Sequence, residues 1–219
     1  MTIRSHSYHQ SKFFNSSRWV TGSIYGAGSD VSSYFNLQEE NKRLVEENQQ
    51  LRTLLFNSQN DGAKEPLDST LATYEVLDAK LVKNSYTSPR NYVTIDKGEK
   101  DGVHQDMGVI TTDGILGIVE NVSNNFATVQ SVLNTKSNIN AKIKGTEYFG
   151  SLIWDTNNFK VVQLIDIPRL VPLVVGDTIV TGGMSSIFPE NVPIGIIKKY
   201  DLNASKSFYN IDVELFSDM

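Results

Sequence analysis

The chain has 219 residues, no cysteine, three histidines and a formal charge of -5. That length suffices for one large or two small domains with a self-sufficient core. The absence of cysteine excludes thiol catalysis, disulfides and cysteine-bearing zinc sites, and the mildly acidic balance argues against broad nucleic-acid binding.

Residues 1–33 read as a flexible lead-in: "MTIRSHSYHQ" has no periodicity, and "TGSIYGAGSDVSS" is rich in glycine and serine. No run reaches the roughly 20 apolar residues of a membrane-spanning helix, and the start lacks the order of a signal peptide. Because "FYNIDVELFSDM" stops directly behind a strand-like alternation, the chain is expected to be an excised soluble part of a longer protein. His6 and His9 fall in the lead-in and His104 stands apart, which leaves little material for a metal site.

Over 34–56 the apolar spacing becomes helical. Tyr34, Leu37, Asn41, Leu44, Asn48, Leu51 and Leu55 recur at alternating steps of three and four, the period of a coiled-coil seam. With the leucines at 37, 44 and 51 as d positions, Asn41 and Asn48 become a positions. There a buried asparagine pairs with its twin across a parallel two-stranded seam and disfavours trimers, so the stripe predicts a dimer. The alternative is a single amphipathic helix packed on its own domain. "NSQNDGAKEPLDST" then breaks the helix with Gly62 and Pro66, making 57–72 a linker.

From Thr73 onward, eleven runs rich in β-branched residues are separated by Gly, Asn, Asp and Pro, so the chain is expected to be mainly β after its helix. "DMGVITTDGILGIVENV" and "GDTIVTGGMSSIFPENVPIGIIKKY" share a plan of strand, threonine, glycine turn and Gly-Ile strand, which points to two small six-stranded-type β-barrels of related design. The expected division is an inserted barrel over 106–165 within a discontinuous one built from 73–105 and 166–219; sequential barrels are the alternative.

Catalytic motifs are missing by residue type. "GTEYFGS" has P-loop glycines without the lysine, and no glycine cluster downstream of the linker opens a helix as a dinucleotide fold requires. A hydrolase triad would need His104, with Asp106 or Asp113 and a serine such as Ser185, yet lacks the glycine-framed nucleophile. A ligand-binding module is the other rival. Neither a cofactor nor a metal is implied. In "VVGDTIVTGGMSSIFPENVPIGII" no lysine or arginine accompanies the glycines. The stretch reads as Gly176-Asp177 in a turn, a strand ending at Thr181, a Gly182-Gly183 turn, a loop anchored by Phe188-Pro189, and a restart at Pro193 before Gly195.

The succession of heptad helix, linker, "TIDKGEKDGVHQDMGVITTDGILGIVENV" and this last stretch resembles the MreC family of rod-shape-determining proteins. Matching positions are Gly98, Gly102, Val103, Gly108, Gly114 and Gly117, then Gly176, Asp177, Val180, Thr181, Gly183, Phe188, Pro189, Pro193 and Gly195. Gly182 departs where serine is usual, and Asn191 where glycine is usual.

The resemblance implies a non-enzymatic periplasmic scaffold of cell elongation, anchored to the inner membrane by a helix outside this sequence. It implies a homodimer or higher assembly, binding and activation of a class B penicillin-binding transpeptidase, association with MreD and an indirect link to MreB. Gly176, Asp177, Thr181, Gly182, Gly183, Phe188, Pro189, Pro193 and Gly195 are then expected to contribute to a partner surface.

Overall fold

The computed structural model describes residues 37–58 and 74–218; the expectations for Tyr34, the lead-in and most of the linker lie outside them. Helix α1 covers 37–58 and belongs to a unit of its own with Glu75–Asp78. Its surface carries Arg43–Glu40 and Lys42–Glu46 ion pairs one turn apart, too exposed to contribute much to stability. Within this unit Gln49 Nε2 donates to the Val76 carbonyl, and Phe56, seven residues on and so on the same face, is buried.

The second unit is all β. Its strands are β1 (Leu81–Asn84), β2 (Arg90–Ile95), β3 (Gly108–Ile110), β4 (Ile115–Val122), β5 (Ala127–Asn134), β6 (Ile139–Ile143), β7 (Phe149–Ile153), β8 (Val161–Pro168), β9 (Thr178–Thr181), β10 (Pro193–Leu202) and β11 (Phe208–Leu215). Strands β2 to β11 coincide with ten of the β-branched runs read from the sequence, whereas of the first run, "TYEVLDAKLV", only Leu81 and Val82 lie in β1. Inward positions alternate with outward ones, as in β2, where Asn91, Val93 and Ile95 are buried between exposed or half-buried neighbours, because a pleated strand aims successive side chains at opposite faces.

Strand pairing departs from the expected interleaving. Strands β1 to β5 form one five-stranded sheet ordered β1-β2-β5-β4-β3, and β6 to β11 close a barrel ordered β10-β11-β8-β7-β6-β9. The β sections are therefore sequential, with their division between Asn134 and Ile139, and only the second closes. Alternation within a run reports which face a strand buries, not which strand lies beside it, so the insertion had no local signal to correct it.

Adding six to each strand number in β3-β4-β5-β2-β1 gives β9-β10-β11-β8-β7, which is the order around the barrel up to β6. The repeat seen in two stretches of sequence thus extends over five strands. Detail agrees with topology. A Cβ on Gly117 of β4 would lie 2.1 Å from the Gln130 carbonyl oxygen, and one on Gly195 of β10 2.1 Å from that of Glu214, so each glycine is required by the backbone of the next strand. Three residues after each, the register slips, past Glu120 in β4 and past Lys198 in β10. Strand β6 has no counterpart in the first sheet, and by pairing with both β7 and β9 it closes the barrel.

A buried polar link sets the start of β2 against the end of β5. Asn91 Nδ2 donates to the Leu133 carbonyl (2.7 Å), Asn91 Oδ1 accepts from Ser88 N (2.9 Å), and Asn134 Nδ2 returns a bond to the Asn91 carbonyl (3.0 Å). Both asparagines are fully buried. Asn91→Leu strands a buried donor and acceptor, and is expected to lower stability by about 2–4 kcal/mol, read as a fall in the urea midpoint; a change within about 0.5 kcal/mol would show that the network does not hold this end of the sheet.

Candidate functional site

The sequence between β9 and β10, from Gly182 to Val192, forms a strap that joins the barrel to the first sheet. Thr181 fastens both of its ends. Its backbone N donates to the Val192 carbonyl and its carbonyl accepts from Asn191 N, while its buried hydroxyl donates to the Pro189 carbonyl (2.6 Å) and accepts from Val192 N (2.9 Å). Asn191 sits at φ 66°, a left-handed conformation that asparagine tolerates better than most side chains. The departure from the family's glycine there is accommodated on that ground.

From this loop Phe188 enters the first sheet. A Cβ on Gly108 of β3 would lie 2.5 Å from the Ile187 carbonyl oxygen and 2.6 Å from the Phe188 ring, so the ring seats because residue 108 has no side chain. A second contact lies nearby: Gly114, in the β3–β4 turn, passes the Pro193 carbonyl, where a Cβ would come within 2.7 Å, and the Thr111 and Ser217 hydroxyls meet at 3.1 Å.

Charge holds the strap's other side. Lys142 of β6, almost wholly buried, pairs with half-exposed Glu190 and lies 5.7 Å from the centre of the Phe149 ring. The Tyr74 hydroxyl is pushed above its ordinary range, by burial first and by the charge of Glu190 second. Gly182 has no space for a side chain, since a Cβ would lie 2.0 Å from Asn140 Oδ1 and 2.9 Å from Phe149. Here Asn140 fills the position where the family's usual serine would project.

These contacts divide the expected partner-surface residues. Thr181, Gly182, Phe188 and Gly195 are buried within the chain and so are not presented to a partner, a correction with a separate cause at each: Phe188 is seated on β3, Gly182 lies against Asn140 and Phe149, Gly195 lies against Glu214 of the next strand, and Thr181 is bonded to the strap. Pro189 and Asp177 are half-buried, whereas Gly176, Gly183 and Pro193 are exposed. At φ 98° Gly176 requires glycine, and Asp177 caps that turn by accepting from Val174 N (3.0 Å). Residues of the rival triad are not joined: Ser185 Oγ accepts from Ile187 N, and the bond found at His104 runs from its backbone to Met107. Among the described residues no three His, Cys, Asp or Glu side chains converge as a metal site, and no helix is long and apolar enough to cross a membrane.

Two substitutions test the strap. Phe188→Ala is expected to cost about 3–5 kcal/mol, and Glu190→Gln about 1–3 kcal/mol because it leaves the Lys142 ammonium buried without its counter-charge. Thermal unfolding with and without added salt reads both; equal stability for Glu190→Gln would remove the ion pair from the account of the strap.

The comparisons converge on one family. A family model described as "Rod shape-determining protein MreC, barrel core" matches residues 81–219. The cell shape-determining protein MreC of Listeria monocytogenes is 31% identical over 191 residues, covering 83% of this chain and 65% of that protein. The relative from Escherichia coli is 25% identical, and the chain spans 51% of its length; the chain thus covers about half to two thirds of these curated relatives. Among solved structures, MreC from Listeria monocytogenes aligns with a TM-score of 0.62 at 27% identity over 86% of each chain. The major periplasmic domain of "the cell shape-determining filament MreC" aligns at 0.55 and 25% identity, over 64% of this chain and 89% of that one. Since the family model spans both the five-stranded sheet and the closed barrel, the chain belongs to the MreC family of rod shape-determining proteins.

Proposed function

We propose that the chain is a non-enzymatic envelope scaffold of the cell-elongation machinery, which pairs with a second copy through α1 and offers its β surface to a class B penicillin-binding transpeptidase, activating it. The observation that carries the self-association is the face of α1 left uncovered by its own unit. Leu37, Leu44, Leu51 and Leu55 are 67%, 46%, 57% and 53% exposed, while Gln49 and Phe56 lie on another face. Four leucines at heptad spacing in water are what a second identical helix buries.

Asn48 now donates to the Leu44 carbonyl of its own helix (2.9 Å); turning to its twin would make it the register-setting polar pair of a parallel dimer. A parallel pair suits two copies leaving one membrane, in keeping with a periplasmic location and an inner-membrane anchor in the full-length protein. Family membership supports the transpeptidase as partner, with MreD and, indirectly, MreB as further members of the assembly.

Sedimentation over a concentration series, on this chain and on a version beginning at Leu71, is the test. The full chain is expected to be a dimer and the shortened one a monomer; two monomers would refute the seam. Asn48→Leu is expected to stabilise the helical assembly while admitting trimers or shifted registers, and an unchanged pure dimer would count against Asn48 at an a position. The purified ectodomain of a class B transpeptidase is expected to bind the shortened chain as well, since the β surface carries that contact; no complex at about 100 μM would overturn this half.

A further inference from the structure

The outer wall of the barrel carries an open groove of about 290 Å³ that neither the strap nor the helix involves. Its lining comes from Asp155, Asn157 and Asn158 in the β7–β8 turn, Gln163 of β8, Asp212 of β11 and Lys198 of β10. The register explains their convergence. Gln163 and Asp212 are direct cross-strand partners, so their side chains stand together on the outer face. Lys198 is the extra residue of the β10–β11 bulge, and a bulge re-aims the side chain it carries.

The hydrogen-bonding state of these groups is specific. Gln163 Oε1 accepts from Asp155 N (3.0 Å), which orients the amide and leaves its nitrogen without a partner among the described residues. Asn158 Oδ1 accepts from Lys160 N (2.8 Å), leaving its own amide nitrogen in the same condition. Half-buried Asp212 accepts no hydrogen bond among the described residues, and Lys198 is shared with Glu214 at 3.0 Å. Free donors and a free acceptor therefore stand side by side on planar side chains.

That mixture selects among ligands. A phosphate would face the carboxylates of Asp155 and Asp212, with Lys198 already shared with Glu214 and Lys199, the cross-strand partner of Asp212, already paired with Asp201; a metal cation would face Lys198. A hydroxyl, which donates and accepts at once, matches adjacent amide nitrogens and a carboxylate. The volume lies at the small end of ligand sites and suits one or two sugar rings.

We propose that this groove binds a neutral oligosaccharide, with hydroxyls on Gln163, Asn158 and Asp212. The proposal is independent of the dimer and of the transpeptidase. Its test is titration of the isotope-labelled full chain with chitotetraose and with cellotetraose, followed through backbone amide shifts. Shifts are expected at 155–163, 198 and 212, with millimolar affinity. Asp212→Ala is expected to weaken binding about tenfold with unchanged circular dichroism. No shift in this region at about 20 mM sugar, binding untouched by Asp212→Ala, or a stronger response to inorganic phosphate than to both sugars would overturn it.

Discussion

Phe188 and Gly108 depend on each other. The ring belongs to the barrel's strap and the glycine to an edge strand of the other sheet, and with any side chain at 108 the two could not occupy their places. Edge strands are ordinarily a liability, because their unpaired backbone invites another chain. Around β3 the strap lies against Gly108 through Ile187 and Phe188, so the interaction that joins the two β sections also shields one end of the open sheet. Thr181, Asn191 and the Lys142–Glu190 pair hold the loop that makes this possible, and their separate energies matter less than the fact that each fixes the path of the chain on either side of the ring.

The same dependence accounts for the family's glycines. Gly117 and Gly195 are needed because the carbonyl of the neighbouring strand occupies the space of a side chain, Gly108 and Gly114 because the barrel does, and Gly176 because of its positive φ. These are three different physical demands met by one residue type. A motif dense in glycine and poor in lysine is therefore a record of close backbone approach.

Strand existence was legible because β-branched runs punctuated by Gly, Asn, Asp and Pro report local conformation: ten of the eleven runs became strands, and the first gave only Leu81 and Val82 to β1. Strand neighbourhood was not. The resemblance noticed between the β3–β4 and β9–β10 stretches was a fragment of a five-strand correspondence. The other strands share their order without a common sequence pattern, so nothing in their residues announced the relation. Asn91 and Asn134 had no local signal at all, since their partners lie on another strand. The strap was half-read: Phe188 was recognisable as an anchor, but its socket is a glycine some eighty residues earlier, and a glycine shows in sequence only as a turn.

The shared strand order also shows where the two sections part. Five strands in this order leave both edges open; adding β6 between β7 and β9 removes them, and the barrel alone becomes an edgeless wall. On that wall the bulge after the repeated glycine carries Lys198, whereas its counterpart in the open sheet carries Glu120. The two copies thus keep a shared backbone irregularity and differ in its chemistry. The closed barrel needs none of its outer side chains to complete pairing, so Gln163, Asp212 and Lys198 are available for recognition, while the open sheet relies on Gly108 to seat the strap. Closure by one strand is the step that separates a surface used for assembly from one left over for ligand.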